Sequence, residues 1–80
     1  MVNEPASLQS LSPLFLESFD VRVIDVSEHG LAVQLDRHIA PQSEVKVRRG
    51  AVMVFGQVRY CIVHQGGFRA GIRIKETLPT

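Results

Sequence analysis

The chain has 80 residues, nine basic and eight acidic side chains, three histidines and one cysteine. That length fits one domain with a thin core, leaving little volume for a deep, dry active site. A lone Cys61 excludes an internal disulfide framework and suits a reducing, cytoplasmic setting, which is the expected location.

The N-terminal stretch Met1-Val2-Asn3-Glu4-Pro5 has no basic start and no long apolar run. It does not read as a targeting segment, and no run approaches the ~20 apolar residues of a membrane span. Leu8, Leu11, Leu14 and Phe15 have helical spacing, but Pro13 interrupts them. The reading is a loose arm over residues 1–10 within an N-terminal arm of 1–13. A first strand follows at 14–17, and the domain runs over 14–76 with a C-terminal tail at 77–80.

From residue 19 the pattern has period two. Phe19, Val21 and Val23 alternate with Asp20 and Arg22, and Leu31, Val33 and Leu35 alternate with Ala32, Gln34 and Asp36. Val45 and Val47 follow the same rule, as do Phe68, Ala70, Ile72 and Ile74. Such alternation marks half-buried strands. Val52 to Val63 is more uniformly apolar and reads as a central, well-covered strand, with Val54 and Val58 in the core and a bulge or a bend at Gly56. Turns fall between the runs: Glu28-His29-Gly30, with a positive φ expected at Gly30; Ala40-Pro41-Gln42-Ser43; Arg49-Gly50; and Gln65-Gly66-Gly67. The fold expected is all-β, a small antiparallel barrel of six to seven strands, closed to remove its edges.

Charge is divided unevenly. Residues 1–44 carry two basic and seven acidic side chains, and residues 45–80 carry seven and one. Pairing of acidic with basic strands accounts for this best; an anionic partner is the other explanation.

Catalytic patterns are weak. Asp25, Ser27 and His29 supply the residue types of a hydrolase triad, but they crowd into five residues with no nucleophile elbow or oxyanion loop. His29, His38, His64 and Cys61 lack metal-ligand spacing, and no phosphate-binding glycine loop occurs. The chain is expected to be a non-enzyme that binds rather than reacts, with no cofactor.

Three motifs stand in order: D-x-S-x-x-G at Asp25, Ser27 and Gly30; Gly56-Gln57-Val58-Arg59-Tyr60; and Phe68-Arg69-Ala70-Gly71-Ile72. Together they resemble the PilZ domain family over about residues 14 to 75. The resemblance implies a bacterial β-barrel regulator in cyclic di-GMP signalling. In that family an R-x-x-x-R arm before the first strand grips the ligand's phosphates, and D-x-S-x-x-G holds the other side. Carried over, the second part is Asp25, Ser27 and Gly30. The first part is missing: no Arg or Lys precedes Arg22, which is too close to Asp25 to serve as the arm. Charge-assisted bidentate contacts are each worth about 1.5–3 kcal/mol, so the loss of two costs several hundredfold or more in affinity. The expectation is a PilZ-type interaction module with a protein partner, to which cyclic di-GMP binds weakly or not at all. The alternative is a true receptor in which strand arginines, among Arg48, Arg59, Arg69 and Arg73, substitute for the arm, or in which an arginine pair lies upstream of this chain. Neither DNA nor a membrane span is expected. Arginines grafted at Leu8 and Ser12 are expected to create binding.

Overall fold

In the computed structural model, residues 2–11 and 18–79 are described, and every regular element among them is a strand. In chain order these are β1 (Glu4–Ser10), β2 (Ser18–Val26), β3 (Gly30–Leu35), β4 (Glu44–Arg49), β5 (Val52–His64) and β6 (Gly67–Pro79). All neighbours pair antiparallel, and the order β1-β2-β3-β6-β5-β4 closes because β1 also pairs with β4. No described helix is long and apolar enough to cross a membrane.

The alternation works as the physics requires. Val21 and Val23 of β2, Leu31, Val33 and Leu35 of β3, Val45 and Val47 of β4, Val54 and Val58 of β5 and Ile72 of β6 are buried together. Their polar neighbours face out, because successive strand side chains point to opposite faces. Ile74 is only partly buried against this core, and Leu8, Ile39 and Ala70 join it. Truncating Val33 to alanine is expected to cost about 2–4 kcal/mol, read from the urea midpoint, because a domain this small has little stability to spare. Unchanged stability would show that Val33 is not core.

The turns follow local chemistry. Arg49 pairs with Val52 across a two-residue turn in which Gly50 has φ 59°. His64 pairs with Gly67 across Gln65 and Gly66, both at positive φ (48° and 77°), as the twist of a tight hairpin demands. The proline turn is closed by Ser43, whose amide (3.2 Å) and hydroxyl (2.7 Å) both donate to the Ala40 carbonyl. Gly56 sits at a register shift, and an added Cβ there would collide with the Arg73 carbonyl.

Several expectations are corrected. Residues 4–10 are not a loose arm but β1, the strand that closes the barrel, with Leu8 fully buried. The reason is that Leu8 lies opposite both Phe19 and Val47, and its burial repays the ordering of the segment. The strand expected at 14–17 lies outside the described residues. The C-terminal segment is no tail, since β6 continues through Thr77, Leu78 and Pro79 paired to β5. The end of β5 is not well covered: Ile62 and Val63 are exposed where the hairpin runs past β4. Gly30 does not have a positive φ. It is the first residue of β3, and a Cβ there would approach the Ile72 carbonyl to 3.0 Å, so closeness of β6 rather than a left-handed turn favours glycine.

Charges interleave only in part. Glu4 pairs with Arg49, and Glu44 accepts from Lys75 Nζ at 2.8 Å, each joining the acidic half of the sequence to the basic half. Arg59, Arg69 and Arg73 make no ion pair among the described residues.

Candidate functional site

The D-x-S-x-x-G segment forms the corner between β2 and β3. A register shift between Val23 and Asp25 bends the end of β2, and Asp25 then pairs with Ala32. Asp25, Ser27 and His29 are all exposed there. Ser27 ties the corner: its amide (2.8 Å) and its hydroxyl (3.2 Å) both donate to the Gly30 carbonyl. The His29 carbonyl accepts the Ile74 amide at 2.8 Å, which fixes the corner to β6. The Ser27 hydroxyl therefore points its proton at backbone and not at His29, and a nucleophile–base pair is not assembled. Among the described residues, no group of three His, Cys, Asp or Glu side chains could hold a metal ion.

Register places the other candidate residues on the same outer face. Asp25, Ala32, Gly71 and Tyr60 are aligned across β2, β3, β6 and β5. The Tyr60 ring lies on Gly71, where an added Cβ would collide with it. One outward row away, roughly 7 Å along each strand, Arg22, Gln34, Arg69 and Ile62 are aligned in the same order. Arg69 thus stands beside the Asp25 row. Arg59 is the unmatched residue of the bulge between Val58 and Tyr60, exposed at the far side of β5.

The second row opens into a cleft of about 390 Å³ that Asn3, Arg22, Gln34, His64 and Arg69 line. Arg22 is held there by Asn3, donating from Nε to Oδ1 at 2.6 Å and from a terminal nitrogen to the carbonyl at 3.3 Å. Gln34 donates from Nε2 to the His64 carbonyl at 2.8 Å, and His64 Nδ1 donates to Gln34 Oε1 at 2.9 Å. Two guanidiniums flanking an amide and an imidazole make a polar, anion-tolerant cleft. Sequence reasoning set Arg22 aside as an arm substitute. The signal for it was its outward place on β2, but only the β2–β3–β6 register brings it level with Arg69.

The ground an arm would occupy is also relocated. Glu4 pairs with Val23, so chain ahead of β1 leaves beside Ile24 and Asp25. Residues Val2 and Asn3 occupy that position, and neither carries charge.

In comparisons with known proteins, no family model matches the chain, and neither a curated protein nor a solved structure matches it.

Proposed function

We propose that this chain is a non-enzymatic, PilZ-type regulatory module in cyclic di-GMP signalling that acts through a protein partner and takes the nucleotide weakly or not at all. The observation that carries this reading is the corner itself. Asp25 and Ser27 are exposed at one edge of a closed antiparallel barrel, yet the chain beside them, Val2 and Asn3, is neutral. Asp25 can accept from a guanine edge, but it repels phosphate. Ser27 is already tied to Gly30. Neither neutralises a doubly charged ligand.

A second reading has a specific observation in its favour. Arg69 and Arg22 face one another across Gln34, one row from Asp25. A receptor could use these strand arginines, with Arg59, in place of an arm. Strand guanidiniums sit at fixed positions, however, whereas an arm can close over its ligand.

Calorimetry with cyclic di-GMP at moderate salt separates the two. The expected result is no measurable heat, with any dissociation constant above roughly 100 µM, near −5.5 kcal/mol. Micromolar binding that disappears in Arg69→Ala or Arg59→Ala would overturn the interaction-module reading and make the chain a nucleotide receptor.

A further inference from the structure

A barrel normally gives each strand a partner on both sides. Among the described residues, one stretch where this fails lies on β5. β5 has 13 residues and β4 only 6, so β4 covers Val52 to Gln57. The loop extends this cover by one residue: Gln42 donates its amide to the Val58 carbonyl at 2.6 Å, and Val58 donates to Ser43 at 2.9 Å. From Arg59 to Val63, no described strand pairs with that edge, while β6 pairs with the opposite one. Past Arg59, the free edge is largely apolar. Tyr60, Ile62 and Val63 are 41%, 51% and 78% exposed. Proline and lysine, which commonly protect edges, are absent from it.

We propose that this edge pairs with the same edge of a second copy, antiparallel about Cys61, joining two barrels through one continuous sheet. The register follows from the length of the free segment. Five residues overlap fully with themselves only when Cys61 faces Cys61 of the partner subunit. A shift by one residue would set the outer face of one copy against the inner face of the other. A shift by two toward the start of β5 runs into Val58, whose amide and carbonyl are both taken.

The side chains suit this register. Tyr60 stands opposite Ile62 of the partner subunit, and Ile62 opposite Tyr60 of the partner subunit. The four make an apolar row on the outer face, as aromatic and β-branched cross-strand pairs do in stable sheets. Arg59 falls opposite Val63 of the partner subunit, so the two guanidiniums lie at opposite ends, roughly 13 Å apart along the strands. Dimers with a two-fold axis require such self-complementarity. The contact is far below the ~1,200 Å² of a standard specific interface, so the dimer is a weak and reversible one.

Sedimentation equilibrium of the whole chain, from about 5 to 500 µM, reads the association directly. The expected result is a monomer at the low end and a substantial dimer at the high end. Ile62→Lys, on an outward and exposed position, should leave the circular dichroism unchanged and hold the chain monomeric throughout. Disulfide trapping then tests the register in a Cys61→Ser background. Tyr60→Cys chains mixed with Ile62→Cys chains should cross-link several-fold more than either alone, because only the mixed pair lies directly opposite. A monomer at every concentration overturns the proposal and leaves the edge to a foreign strand. A dimer that persists in folded Ile62→Lys, or that cross-links best as Tyr60→Cys with itself, overturns it equally.

Discussion

Replacing Leu8 by arginine is expected to unfold the barrel at room temperature. Leu8 has no exposed surface and lies in β1, opposite Phe19 on β2 and Val47 on β4. A guanidinium there has no acidic partner within the core, since every buried side chain among the described residues is apolar. An unpaired buried charge costs about 3–5 kcal/mol, and loss of the leucine's packing adds to it. Their sum reaches the whole stability of a small domain, about 5 kcal/mol at the lower end of the usual range. Loss of the strand circular dichroism and of a cooperative urea transition would register the effect. Leu8→Ala should cost less, about 2–5 kcal/mol, and keep the fold. A folded Leu8→Arg chain with the parent midpoint would show that β1 does not close the barrel. The same burial rules out Leu8 as a site for an arginine graft; Ser12 lies outside the described residues.

An R-x-x-x-R segment placed ahead of Val2, rather than within β1, is expected to raise the affinity for cyclic di-GMP by several hundredfold or more. Two regained charge-assisted contacts, each about 1.5–3 kcal/mol, set that magnitude. The placement follows from the pairing of Glu4 with Val23, which sends preceding chain past Asp25. Calorimetry of the extended chain should give micromolar binding that Asp25→Ala weakens and that falls as salt rises, because the new contacts are ionic. A well-folded extension without binding would remove Asp25, Ser27 and Gly30 as ligand contacts.

The strands from β2 to β6 were legible because each buries one face, and burying one face imposes period two on the sequence. Val21, Val23, Leu31, Val33 and Leu35 needed nothing else, and the turns at Gly50 and Gly66 announced themselves by glycine. β1 was missed because Glu4-Pro5-Ala6-Ser7-Leu8-Gln9-Ser10 carries one large apolar residue, and a single leucine makes no period. The exposed end of β5 was misread because an apolar run looks the same whether a neighbour covers it or not.

At the site, the sequence by itself determined the residue types at the β2–β3 corner, the absence of basic residues before Arg22, and the alternation that turns Arg69 outward. Local chemistry and period suffice for these, since they act over a few residues. Only the tertiary structure decided that β1 closes the barrel, that Arg22 is level with Arg69, that Ser27 is tied to Gly30, and that Arg59 to Val63 lacks a partner strand on one edge among the described residues. Each of these, apart from the short Ser27 bond, depends on register between strands distant in sequence. Register is fixed by which side chains fill a common core, a property of all six strands at once rather than of any one.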